Sequence, residues 1–319
     1  MKEPSSGDSR KGPPPIVFVL LGIGALWLLS SQLPKLLGWR PSLPTIPAGV
    51  SLPGGGGLGA VSDAGKLGER FPRESSVPAG TTITIDGSTS MVLMNQALKA
   101  GFLNTYPGTV VNTAATGSDN GIEALVGGSV NVAAVSRPLT TEEQSRGLEA
   151  VPVSRDRIAI VVGANNPFRR GLSRSQLVQI FRGEITNWAT FGGPDSKIRV
   201  LNRPSVSGTN KTFRSLVLGD GDFGKTPNIT TLDRDATTPM LQLLGADGIG
   251  YATYGQVADQ QTVRVVAIDG STPDADSYPF QRPLFYVYRK PVDPAVKAFL
   301  GFALSADGQS RITAATKGP

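Results

Sequence analysis

The chain has 319 residues, 39% of them hydrophobic, which is enough for two folded lobes beyond a tail. Its net charge is +6, yet 23 of its 31 Lys and Arg and 20 of its 25 Asp and Glu follow residue 80. The folded part is therefore only mildly basic, with no basic block interleaved with aromatics, and nucleic acid is not an expected partner. There is no Cys and no His, which excludes disulfides, thiolate or histidine-based catalysis, and the usual zinc and copper ligands.

Residues 1–15 are a polar tail of mixed charge. Residues 12–34 carry no charge, and residues 16–33 are predominantly apolar, just long enough to cross a bilayer as a helix that satisfies every backbone group. Trp27, Lys35, Trp39 and Arg40 suit an interface. No clear small-x-small cleavage site follows the apolar run, so an uncleaved anchor over 16–37 is expected in preference to a cleaved secretory signal. The expected location is the cell membrane, single-pass, with the folded part on the periplasmic or extracellular side. Residues 38–80 hold 10 Gly and 6 Pro without apolar periodicity and read as a flexible linker.

Residues 81–85 alternate as a strand does and run into Asp86-Gly-Ser-Thr-Ser90. Met91, Met94, Leu98 and Phe102 then share one helical face and read as core. Val110-Val111 is a short strand. Thr116-Gly-Ser118 opens a helix carrying Ile122, Leu125 and Val126. A strand over 130–135 ends in Ser136-Arg137, and Thr140 with Glu142 and Glu143 marks a helix start. Val151 and Val153 precede the apolar run 157–162, which reads as a strand buried on both faces. Ser173 caps a helix through Leu177, Ile180 and Phe181, and Trp188 reads as a packing anchor.

A half-buried strand over 197–201 leads through Arg203 to Ser207-Gly-Thr209 and a helix carrying Phe213, Leu216 and Val217. Residues 235–244 predict a helix, Gly248-Ile-Gly-Tyr251 a strand, and 262–268 and 283–288 two more strands. Residues 293–312 form a closing helical segment with Gly308 as its break. Strands alternating with helices argue for an α/β architecture, which places its sites at strand carboxyl ends.

The informative feature is repetition. Three strand-to-helix junctions, at Ser88, Ser118 and Ser207, carry small hydroxyl residues and glycine. A helix start leaves amide N–H groups unpaired at the positive end of the dipole, which attracts an anion. Arg203 adds a planar fork that fits a tetrahedral oxyanion. One such junction alone is equally an ordinary capped helix. No phosphate-cradling loop of nucleotide-binding type and no dinucleotide fingerprint is present.

Taken in order, Ile85-Asp-Gly-Ser-Thr-Ser90, Thr116-Gly-Ser118, Val132-Ala-Ala-Val-Ser-Arg137, the stretch 172–188, Arg203 with Ser207-Gly-Thr209, and Gly248-Ile-Gly-Tyr251 resemble the PstS-like phosphate-binding proteins of phosphate ABC transporters. The resemblance spans about residues 81–312. It implies a two-lobed periplasmic-binding-protein type II fold with two hinge strands, lobe 1 from 81–160 and 253–319 and lobe 2 from 161–252. It implies no enzyme activity and no cofactor. Ser88, Thr89 and Ser118 would bind phosphate from lobe 1, with Ser136 and Arg137 lining the cleft. Arg203, Ser207, Gly208 and Thr209 would close on it from lobe 2. Other members carry an Asp near position 137 that accepts a hydrogen bond from protonated phosphate; here Asp86 or Asp119 is the candidate substitute. Arg137 has a second reading, as a partner of Glu142 or Glu143. The expected role is a monomeric, membrane-tethered receptor that hands phosphate to transporter permease subunits; the alternative is a sensor that signals to a partner.

Overall fold

A computed structural model describes residues 66–316. In chain order the elements are β1 (Thr82–Gly87), α1 (Val92–Thr105), β2 (Val110–Thr113), α2 (Ser118–Val126), β3 (Val132–Val135), α3 (Thr141–Ser145), β4 (Leu148–Gly163), α4 (Arg174–Phe181), β5 (Arg199–Asn202), α5 (Gly208–Leu218), β6 (Ile229–Thr231), α6 (Thr237–Gln242), β7 (Gly248–Thr253), β8 (Val263–Val265), β9 (Gln281–Arg289), α7 (Pro294–Leu304) and α8 (Ala306–Thr316). Single 3-10 turns lie at Thr89–Met91, Trp188–Phe191 and Tyr254–Gln256.

The strands order as β2-β1-β3-β9-β4-β7-β5-β6, with β8 pairing β4. Two parallel trios, β2-β1-β3 and β6-β5-β7, flank the antiparallel pair β9-β4. Val151–Val153 and the apolar run 157–162, separate stretches by sequence pattern, join into one 16-residue strand. That strand pairs β9 as far as Arg157 and β7 from Ile158 onward, so β4 carries the chain from one half of the sheet to the other.

Each half has its own core. Ile83, Ile85, Met94, Leu98, Phe102 and Phe299 anchor the first. Ile158, Ile160, Ile180, Phe181, Trp188 and Phe213 anchor the second. Burying each such side chain contributes about 1.5–3 kcal/mol. Trp188 is the expected packing anchor: it stacks on Phe168 at 4.7 Å and donates Nε1–H to the Asp247 carbonyl at 3.1 Å.

Three readings of organisation change. The second core starts at Ile158, and Val266, Ile268, Tyr278 and Phe280 also belong to it, whereas the resemblance implied a start at 161 and a return to the first lobe at 253. The largely apolar run 263–268 shows that the segment is buried, not which core it serves. Residues 66–80, assigned to the linker, pack on the first lobe. Residues 66–70 are helical, Phe71 is buried, and Arg70 donates to Glu149 at 3.0 Å. The break in the closing helix falls at Ser305, and Gly308 lies inside α8 against the Phe302 carbonyl. Among the described residues no helix is long and apolar enough to cross a membrane; the anchor expected at 16–37 and most of the linker lie outside them.

Candidate functional site

Three strand ends of the first lobe bring their hydroxyls together. Ser88 follows β1, Ser118 opens α2 after β2, and Ser136 follows β3. Ser88 Oγ–H donates to Ser136 Oγ at 2.8 Å, Ser136 Oγ lies 3.3 Å from Ser118 Oγ, and Ser136 N–H donates to Ser118 Oγ at 3.2 Å. The approach requires glycine at 87, where φ is +138° and a Cβ would lie 2.1 Å from the Ala134 carbonyl oxygen. Ser88 N–H is taken by that carbonyl at 2.7 Å, so Ser88 offers only its hydroxyl, contrary to the expectation of a backbone donor. Ser88 Oγ also accepts from Ser90 N–H at 3.2 Å, capping the short turn before α1.

The second lobe supplies the start of α5. Ser207 caps it, accepting from Asn210 N–H at 3.4 Å. The N–H groups of Gly208 and Thr209 lie in the first turn, where a helix provides no internal acceptor. Arg203 is fully buried, and its ion pair with Asp235 measures 2.6 Å with both side chains 2% exposed. Its Nη2 also donates to Thr89 Oγ1 at 2.8 Å, reaching the opposite lobe.

The backbone of Arg203 is held as firmly as its side chain. Asn210 Nδ2 donates to the Arg203 carbonyl at 2.8 Å, and Tyr251 OH accepts from Arg203 N–H at 3.4 Å while donating to Asn202 Oδ1 at 2.7 Å. Burial pushes the Tyr251 phenol well above its ordinary value, so it stays a neutral donor. Tyr251→Phe leaves these amides short of a partner and is expected to lower stability by about 1–3 kcal/mol in urea unfolding. Asn210 and Asn228, both within Asn-x-Thr sequons, are buried and unavailable as glycan acceptors.

The two rims meet. Ser90 Oγ lies 2.9 Å from Thr209 Oγ1, Thr212 Oγ1 donates to the Ser136 carbonyl at 2.9 Å, and Asp119 N–H donates to the Val206 carbonyl at 3.2 Å. A Cβ on Gly208 would fall 2.3 Å from Ser118 Oγ and 2.4 Å from Ser136 Oγ. Ser88, Thr89, Ser118, Ser136, Arg203, Ser207, Gly208 and Thr209 are thus gathered into one buried interlobe cluster.

Arg137 is not. Nε and Nη2 donate to Asp119 at 3.1 and 2.7 Å, Nη2 also reaches Glu143 at 2.6 Å, and Nη1 takes Glu143 and the Pro138 carbonyl at 2.9 Å each. All five N–H donors are engaged away from the serines. Burial alone pushes Glu143 up, but the Arg137 and Thr140 hydrogen bonds hold its carboxyl below the usual range. The reading of Arg137 as a partner of Glu143 is the one the contacts match. Asp119 pairs with Arg137 and Lys211, and Asp86 accepts from Gly87 and Thr116; neither joins the hydroxyl cluster. The carboxylate that does is Asp235, which pairs with Arg203 and accepts from Thr89 Oγ1 at 3.3 Å; Asp156 reaches the cluster only through Arg282, with which it pairs at 2.7 Å.

Asp156, Asp235, Arg282 and Ser90 escaped the sequence reading. Asp156 and Arg282 sit in strand segments whose pattern names no partner, and Asp235 lies in a polar loop before α6. Among the described residues no group of His, Cys, Asp or Glu is arranged to hold a metal ion.

Residues 72–307 match the family model of the PBP superfamily domain. The phosphate-binding protein PstS of Pseudomonas aeruginosa is 30% identical over 288 residues, covering 79% of this chain and 88% of that protein. A phosphate-bound crystal structure of a Clostridium perfringens substrate-binding protein, assigned to a phosphate ABC transporter, superposes with a TM-score of 0.67 at 29% identity, covering 74% of this chain and 98% of the other. The crystal structure of an ABC-type phosphate transport receptor from Vibrio cholerae gives a TM-score of 0.59 at 30% identity, with 73% and 98% covered.

Proposed function

The chain belongs to the PBP superfamily and, within it, to the PstS-like phosphate-binding proteins; from that premise we propose that it binds inorganic phosphate between its lobes and passes it to a phosphate ABC transporter. The observation that carries this reading is the meeting of first-lobe hydroxyls with the second lobe: Ser118 and Ser136 at Gly208, Ser90 at Thr209, and Thr89 at the buried Arg203. Hydroxyl and amide donors from separate segments suit a small tetrahedral anion, and each charge-assisted hydrogen bond contributes about 1.5–3 kcal/mol. Four or five of them reach the ~8 kcal/mol of micromolar capture and beyond.

The two guanidinium–carboxylate pairs leave the cluster near neutral. Recognition therefore rests on directed donors rather than on excess positive charge. Asp235 adds an acceptor beside those donors, which suits a phosphate that still carries a proton over fully ionised sulfate. Ligand that bridges both rims favours the closed arrangement, so capture and closure are one equilibrium. The apolar run at 16–33 supports a tether that keeps the receptor at the membrane carrying its transporter.

The test is a thermal-shift panel on the purified full chain with phosphate, arsenate, molybdate and sulfate. Only a ligand of the native state raises the melting point. Phosphate and arsenate are expected to raise it and sulfate to leave it unchanged; no shift with phosphate overturns the reading.

A further inference from the structure

We propose that Arg282 is a positioning residue for the anion site. Held by Asp156 where the chain crosses between the lobes, it aligns the Ser90 and Thr209 hydroxyls and couples ligand binding to closure. The inference rests on the phosphate-receptor reading and deepens it.

Asp156 and Arg282 are opposite each other in the register of β4 and β9, two residues before β4 changes partner to β7 at Ile158. The pair therefore lies at the crossing between the two cores. Both side chains are buried, at 5% and 2% exposure. Arg282 Nε and Nη2 donate to Asp156 Oδ2 at 2.8 and 2.7 Å, which fixes the plane of the guanidinium. The remaining donors divide between the lobes. Nη2 reaches Ser90 Oγ of the first lobe at 2.8 Å and Thr253 Oγ1 of the second at 3.0 Å. Nη1 reaches Thr209 Oγ1 of the second lobe at 3.0 Å and the Ser136 carbonyl of the first at 3.4 Å.

One rigid fork thus holds both rims. Ser90 and Thr209 lie 2.9 Å apart and both accept from it. A hydroxyl that accepts from a guanidinium keeps its own proton for donation and is a stronger donor for being polarised. Within the Ser90–Thr209 contact only one proton is used, so the other is left to point at an anion. Opening the lobes parts Ser90 from Thr209 and strips buried N–H groups of their acceptors, which is unfavourable. Arg282 therefore favours closure, and the ligand completes it. A lysine keeps the charge but lacks the planar fork, so it cannot hold both rims at once.

The chain has no cysteine, so Ala100→Cys and Lys225→Cys, both exposed and one in each lobe, accept a donor and an acceptor dye. Energy transfer then reports closure while calorimetry reports phosphate affinity. In the otherwise native full chain, phosphate is expected to raise transfer. Arg282→Lys is expected to retain the fold yet bind phosphate at least tenfold more weakly, with transfer at saturation below that of the native chain. The double variant Asp156→Asn/Arg282→Gln buries no unpaired charge and carries the test if the lysine variant does not fold; the same loss is expected. Native-like affinity and closure in the folded variant overturn the role of Arg282 alone. Failure of the unsubstituted chain to bind phosphate overturns the receptor reading, and this role with it.

Discussion

Arg203→Ala is expected to abolish measurable phosphate binding, at least a hundredfold in Kd by calorimetry, and to destabilise the protein. Arg203 is the guanidinium that joins the start of α5 to Thr89 across the cleft, at 2.8 Å. Its removal strands Asp235, whose side chain is 2% exposed. An uncompensated buried charge costs about 3–5 kcal/mol. Loss of binding by unfolding must be told from loss of a ligand group, and Arg203→Ala/Asp235→Ala does so. With both charges gone, most of the stability should return in urea unfolding while binding stays absent. Wild-type affinity in either variant excludes Arg203 from the site.

Gly208→Ala is expected to separate stability from binding in the opposite sense. Gly208 is the first residue of α5 and is not among the glycines held at positive φ. Alanine therefore fits the backbone, and within a helix it is favoured over glycine by up to about 1 kcal/mol. Where the two rims meet, the arrangement a bridging ligand would favour, its Cβ would meet Ser118 Oγ at 2.3 Å, Ser136 Oγ at 2.4 Å and Ser118 Cβ at 3.0 Å. The hydroxyls can rotate away, but only by leaving the positions that face the ligand, and the Ser118 Cβ cannot move without α2. The expected result is an unchanged or slightly raised melting temperature without ligand and a phosphate affinity lowered at least tenfold. Unaltered affinity would show that this contact does not shape the bound state.

Much of the site was legible because local chemistry and global role coincide. Ser118 and Ser207 lie at helix starts after strands, and Ser88 at the short turn that leads into α1; a helix start leaves donors exposed whatever it packs against. The alternation in β1 and the unbroken apolar run after Arg157 likewise state their burial directly, since side-chain periodicity is a property of the strand itself. The same logic made Trp188, Met91 and Met94 readable as core.

Other assignments depended on partners distant in sequence. Arg137 and Arg282 each follow or precede an apolar strand segment, and nothing local separates them. Glu143, six residues on, was within reach of a sequence reading of Arg137; only the fold adds Asp119 and sets Arg282 against Asp156, 126 residues away. Asp235 acquires its meaning from Arg203, 32 residues earlier. By itself the sequence determined which segments can offer donors to an anion, because capping and periodicity are short-range. Which charges distant along the chain meet, and where the chain passes from one core to the other, was decided by tertiary structure alone, because a buried ion requires a counter-ion in space rather than along the chain.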